Sequence, residues 1–173
     1  RVDTWQGIVF IDLSGEAPPL REFLGDIVSE FARFDLGALR RVRRIDYDVK
    51  ANWKALVENF QECYHCPGVH PQLNRITPYN SGQYLPSDGA SMNSFMDVLP
   101  QFETLSMTGD ADGREPMPGM TEDDHKRIYY SVVWPNMLYS LHPDYLMLHF
   151  ITPLEPGRTH VRCEWYFEPR EIE

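Results

Sequence analysis

The side chains best able to do chemistry crowd into one short segment. His65 and His70 stand five residues apart, with Glu62 three before the first and Asn59 three before that. Neutral imidazoles joined by a carboxylate suit Fe(II), and two histidines with one carboxylate leave coordination positions open for oxygen. On an unbroken helix, residues five apart diverge, so the rings can reach one ion only if the helix stops between them. Pro67-Gly68 is the expected break, with a turn delivering the second ring. Two other readings use the same residues. Trp53, Leu56, Val57, Phe60 and Tyr64 share one helical side while Asn59, Glu62 and His65 fall on the other, as in an amphipathic helix with a solvated face. Cys63-x-x-Cys66 with His70 would supply three of the four ligands of a zinc site. At a helix end the two cysteines also read as small packing residues.

Several elements must position this segment. Asn52 is a suitable N-cap for a helix over residues 53–66. Upstream, residues 7–13 form an apolar run closed by Ser14-Gly15 and predict a strand. Leu20, Phe23, Leu24, Ile27, Val28 and Phe31 recur at helical spacing, predicting one helix over residues 20–34. Residues 39–49 alternate charged and apolar side chains, as a strand with one wet face does. Residues 71–122 are rich in Pro, Gly, Ser, Asn and Met with weak periodicity, predicting short elements and functional loops. Runs over 128–134, 137–142, 145–153 and 159–167 are separated by turn residues and predict consecutive antiparallel strands. Strands of this kind after helices indicate an α+β domain.

Other candidates lie in the strands. His149 occupies an apolar run and could point into a cavity or sit hydrogen-bonded in the core. Tyr129, Tyr130, Trp134, Tyr139 and Tyr145 serve as core, or could in part cage a quaternary ammonium through cation–π contact. No motif ties Asp144 or Glu164 to a metal.

The 173 residues suffice for one domain or a large part of one, and 42% apolar with 24% charged residues is a globular composition. A net charge of −10 argues against nucleic acid or an anionic membrane as partner. No apolar run is long enough to span a membrane. Three cysteines make no disulfide framework, which points to a reducing cytoplasm.

Asn59, Glu62, Tyr64, His65 and His70 resemble, in order and spacing, the iron-binding motif of Rieske non-haem iron oxygenase catalytic alpha subunits, the ring-hydroxylating dioxygenase superfamily. The resemblance implies that His65 and His70 ligate a mononuclear Fe(II). It also implies that Glu62, where many members have Asp, relays electrons from the 2Fe–2S Rieske cluster of a neighbouring subunit, with Asn59 alongside. Trp5, Gly7, Ile8, Val9 and Phe10 resemble the closing strand of the Rieske domain. Residues 145–169 resemble central strands of the helix-grip sheet (Bet v1-like, START-like). Residues 1–17 are therefore expected to be the C-terminal remnant of a Rieske domain, and 18–173 the N-terminal and central part of the catalytic domain. Asn52-Trp53-Lys54 and Glu62-Cys63-Tyr64-His65-Cys66 resemble the branch acting on glycine betaine and related quaternary ammonium compounds.

The cluster motif is Cys-x-His followed by Cys-x-x-His. Cys63-Tyr64-His65 spells the first half without the second, so the cluster is expected upstream of this chain. The third iron ligand, an Asp on a late helix, is expected downstream. By resemblance the intact protein uses O2 to hydroxylate or N-demethylate a small organic substrate, a quaternary ammonium or an aromatic compound. It would be a homotrimer drawing electrons from NAD(P)H through a reductase or ferredoxin, and this chain alone would be inactive. The rival expectation is a non-enzymatic helix-grip module that binds a ligand.

Overall fold

The computed structural model describes residues 1–172. It opens with an antiparallel hairpin, β1 (Val2–Trp5) and β2 (Ile8–Ile11). The turn residues Gln6 and Gly7 have φ of 50° and 77°, the positive values that two-residue hairpin turns require. The Gln6 side chain ties this turn to the body. Its Nε2 donates to the carbonyls of Phe31 (3.1 Å) and Phe34 (2.8 Å), and its Oε1 accepts from the Leu36 amide at 3.1 Å.

The single helix expected over residues 20–34 is two short ones, α1 (Leu20–Leu24) and α2 (Ile27–Glu30). Gly25 separates them at φ 69°, where a Cβ would lie 2.1 Å from the Asp88 carbonyl oxygen. Backbone packs against backbone there, and helical periodicity carries no trace of that contact. The apolar face survives the break, with Leu24, Ile27, Val28 and Phe31 all buried.

After the edge strand β3 (Arg40–Val49) come α3 (Trp53–Gln61), α4 (Cys66–Val69) and α5 (Pro71–Ile76). The remaining strands are β4 (Gln83–Tyr84), β5 (Ser91–Asp97), β6 (Arg127–Val133), β7 (Met137–Leu141), β8 (Leu146–Glu155) and β9 (Arg158–Phe167). They form one antiparallel sheet in the order β3-β9-β8-β7-β6-β5-β4. The α+β architecture with a large antiparallel sheet is the one the sequence predicts, and its last four strands fall where expected to within a residue or two. Strand β5 lies inside the stretch expected to hold short elements and loops. Its sequence, Ser-Met-Asn-Ser-Phe-Met-Asp, lacks the β-branched residues that signal strands, and it is held by pairing with β6.

Alternation along the strands gives the sheet two different faces. One carries Phe95, Tyr129, Tyr139, Leu141, Leu146 and Leu148, packed with α1, α2 and the hairpin. Phe31 meets Tyr129 and Tyr139 edge-on, at 5.6 and 5.3 Å between ring centres, so these two tyrosines are core. The other face carries Val132, Leu138 and Ile151, which pack with Val57, Trp53, Leu56 and Phe60 of α3. Further along that face the sheet and α3 enclose a cavity.

Candidate metal centre and substrate cavity

Helix α3 begins as expected, the Asn52 side chain accepting the Lys54 amide at 3.0 Å. It ends earlier than expected, at Gln61. Glu62 is extended, at φ −113° and ψ 152°. Its Oε2 accepts the Tyr64 amide at 2.7 Å, and its Oε1 lies 2.5 Å from His65 Nδ1. These local bonds offer the chain an alternative to continuing the helix.

Pro67 and Gly68 do not form the break. They lie inside α4, where Pro67 occupies the first turn, a position at which its missing N–H costs nothing. Pro71 likewise opens α5, and His70 is the joint between the two single-turn helices at φ −125° and ψ 60°. His65 and His70 are thus brought together by two joints, one at Glu62 and one at His70.

The two rings are 5.2 Å apart between centres and stand at 79° to one another. With metal–nitrogen bonds of about 2.1 Å, two imidazoles on one ion at a right angle or slightly wider have centres roughly 4.6–5.2 Å apart. The ring separation is thus within the range that two imidazoles on one ion require. An ionised carboxylate only accepts hydrogen bonds, so in this contact His65 Nδ1 is the donor, which leaves Nε2 as the nitrogen on the side away from Glu62. Burial alone would raise the Glu62 carboxyl, but the bonds from His65 and Tyr64 outweigh it and hold it below its ordinary value.

Among the described residues, no three of His, Cys, Asp or Glu converge to hold a metal. The alternative zinc site on Cys63, Cys66 and His70 is accordingly not formed. The Cys63 sulfur instead packs 3.4 Å from that of Met96, and Cys66 is buried. Asp144 and Glu164 are both buried beside arginines. Asp144 accepts from Thr104 (2.5 Å) and Arg114 (2.8 Å), and Glu164 from Arg41 (2.8 Å) and Tyr166 (2.5 Å). Both are structural.

His65 and His70 lie on the wall of a cavity of about 500 Å³, with Asn59 and Glu62 also lining it. Phe60, Leu73, Tyr79, Tyr84, Met96 and Met147 are among its apolar lining. Its sheet-side wall holds Tyr130, Ser140, His142 and His149. His149 thus faces a cavity, and its ring meets Phe60 edge-on at 6.0 Å. His142 is fully buried and stacks on Tyr145 at 3.9 Å. Burial pushes His142 down to about 3 and His149 down to about 4, so both are neutral near pH 7. Of the aromatic residues that the sequence offered as core or cage, Tyr130 lines this cavity, whereas Ser140 and His142 were not singled out by sequence. The available signal is the period-two alternation, which puts Tyr130, Ser140 and Met147 on one face once the register is known.

A family model described as the ring hydroxylating alpha subunit (catalytic domain) matches residues 36–173. The chain belongs to that family. The alpha-subunit domain is 32% identical over 75 residues to the glycine betaine monooxygenase oxygenase subunit of Chromohalobacter salexigens, covering 43% of this chain and 17% of that protein. It is 23% identical over 200 residues to the protein of the same name from Pseudomonas aeruginosa, covering 100% of this chain and 47% of that one. The chain therefore spans less than half the length of these relatives.

The alpha-subunit domain also superposes on the quaternary ammonium Rieske monooxygenase CntA with a TM-score of 0.76 at 17% identity, covering 100% of this chain and 44% of that one. With naphthalene 1,2-dioxygenase from Rhodococcus sp. the TM-score is 0.70 at 17% identity, covering 98% and 45%. These similarities establish a shared fold.

Proposed function

We propose that this domain is the iron-holding part of an oxygenase that uses O2 to hydroxylate or N-demethylate a small organic substrate, with quaternary ammonium compounds the favoured class. The observation that carries this reading is the His65–His70 pair, 5.2 Å apart and nearly perpendicular, opening onto a 500 Å³ cavity. A module that only binds ligands has no use for that pair. Membership of the family and the printed activities of its relatives support the same reading.

His65 and His70 would hold Fe(II), whose bound chemistry is the activation of oxygen beside the substrate. Glu62 fixes the tautomer and the ring angle of His65, as carboxylates do behind metal-bound histidines. Its half-exposed position at the mouth also suits a contact with a neighbouring subunit, through which electrons from a Rieske cluster would pass. Asn59, exposed on α3 and lining the same cavity, would hydrogen-bond within that contact. Phe60, Met96 and Met147 exclude water from the reacting region.

The third, acidic iron ligand and the 2Fe–2S cluster belong to parts of the intact protein other than the described residues. In this reading residues 1–17 close the cluster domain and 18–173 begin the catalytic one. Reducing equivalents come from NAD(P)H through a reductase or ferredoxin, the assembly is a homotrimer, and it works in the cytoplasm. The test is product formation by the intact protein with a reductase and glycine betaine or L-carnitine, followed as formaldehyde or hydroxylated product. Product that depends on O2, iron and His65 together supports the reading. Turnover undiminished in His65→Ala contradicts it.

A further inference from the structure

We propose that the arginine-rich half of the edge strand β3 is a docking surface for an acidic protein, the electron donor of the proposed oxygenase. The proposal rests on that reading of the function and adds the place where the donor lands.

The starting observation is a local charge that runs against the chain as a whole. Asp and Glu outnumber Lys and Arg by 26 to 16, yet four of the five residues from 40 to 44 are arginine. All five are exposed, on a strand with β9 as its one neighbour and so with one row of backbone groups unpaired. Charges on an edge strand commonly keep other strands away. One or two suffice for that, and their sign is immaterial. Here the strand is divided, with Arg40, Arg41, Arg43 and Arg44 in its first half and Asp46 and Asp48 in its second.

The nearby carboxylates are engaged within the chain. Asp46 accepts from Arg44 (2.7 Å) and lies 3.0 Å from His160, Asp48 accepts from Arg158 (2.7 Å), and Glu164 from Arg41 (2.8 Å). These pairs leave Arg40 and Arg43 without a carboxylate among the described residues. The Arg40 guanidinium is held instead by the carbonyls of Ala38 (2.7 Å) and Leu39 (3.3 Å), and Arg43 lies 5.9 Å from the ring of Trp165. Two positioned cations thus stay uncompensated in a chain of net charge −10. Beside them Tyr47 is 45% exposed and Trp165 half-buried. Arg, Tyr and Trp are the residues on which binding energy concentrates at protein interfaces.

The dimensions narrow the class of partner. Residues 40–44 span about 13 Å of strand, and at physiological salt charges more than about 8 Å away are largely screened. An extended polyanion or an anionic membrane would also meet the acidic remainder of the surface and be repelled. A compact protein with an acidic face meets the patch alone. A donor that must arrive and leave at every turnover needs a contact of this type, small and steered by charge.

The test is the kinetics of the intact protein with the NAD(P)H-dependent reductase that supports turnover, at low and at physiological salt. Arg40→Glu/Arg43→Glu should raise the KM for the reductase by about tenfold at low salt, the low end of what steering contributes, and flatten its salt dependence. Iron content, the KM for the organic substrate and the single-turnover yield of protein reduced with dithionite should match the parent. Arg40→Lys/Arg43→Lys keeps the charge and should behave like the parent, as should Arg21→Glu, which alters an exposed arginine on α1.

An unchanged reductase KM in the charge-reversed variant overturns the docking surface. So does an equal rise in Arg21→Glu, which would make it an effect of net charge. Loss of iron or of the parent's assembly size also overturns it, by making β3 a contact within the protein itself. Calorimetric binding of the oxidised reductase, measured without turnover, keeps the two readings apart. Binding that the variant loses, with no product from the parent, counts against the oxygenase alone. Product from the parent, with a variant that binds and turns over like it, counts against the docking surface alone.

Discussion

The Glu62 carboxylate is shared between two neighbours three residues or fewer away, His65 Nδ1 at 2.5 Å and the Tyr64 amide at 2.7 Å. The same side chain ends α3 and sets the tautomer of the first histidine. It points at the nitrogen that cannot be the metal's if Nε2 is, so its place is behind the ligand.

This geometry separates the roles of Glu62 and His65. Glu62→Gln in the intact protein should keep most of its mononuclear iron while product formation falls by about 10- to 100-fold or more, the range typical of groups behind metal-bound histidines. His65→Ala should lose the iron itself. Iron content and single-turnover product yield on both variants decide the matter. If Glu62→Gln loses iron as completely as His65→Ala, Glu62 is a ligand. If it keeps full activity, it has no part in the centre.

A second carboxylate should matter for stability alone. Asp124 is buried on the side of the molecule where α2 packs, and accepts from Arg33 (2.7 Å), the Thr121 amide (2.7 Å) and hydroxyl (2.8 Å), and Tyr129 OH (2.5 Å). Asp124→Ala strands these donors and should cost about 3 kcal/mol, the low end for a broken buried pair because Arg33 still reaches water. Denaturant unfolding gives the cost, and iron content per folded chain should not change. A loss below about 0.5 kcal/mol would show that this network is solvated.

The two cavity histidines make stability sensitive to mild acid. Burial holds His142 and His149 at about 3 and about 4, below the ordinary 6.5. Above pH 6.5 neither folded nor unfolded chain protonates them, and their contribution is fully present. As the pH falls from 6.5 towards 4, the unfolded chain takes up protons that the folded one refuses. Stability should then fall by roughly 1.4 kcal/mol per pH unit for each histidine. Urea midpoints over this range should show the slope, and His149→Leu should reduce it by about half. A flat profile between pH 6.5 and 4.5 would mean that water reaches both rings.

What could be read in the sequence followed from periodicity and from local chemistry. The cap at Asn52, the strands β6 to β9 and the apolar face of α1 and α2 all show as patterns within one window. The feature that moved the helix end from residue 66 to Gln61 is a side chain competing with the backbone. The residue type of Glu62 does not announce that competition, whereas Pro67 draws attention by composition and proves harmless in a first turn. Gly25 breaks a well-formed helical pattern because the Asp88 backbone, 63 positions away, presses on it. The wall of Tyr130, Ser140, His142 and His149 depends on strand register and on which face the helices cover. Neither is a property of any single segment.

The central claim is that His65 and His70 share one iron. The most direct measurement is anomalous scattering at the iron absorption edge from crystals of the intact protein, purified without a histidine tag and loaded with Fe(II). The account predicts a single-atom peak about 2.0–2.2 Å from a ring nitrogen of each histidine, with Glu62 on the far nitrogen of His65 and outside the coordination sphere. A peak bound by Cys63 and Cys66 would contradict it. So would rings turned away from each other, with iron found only elsewhere in the protein.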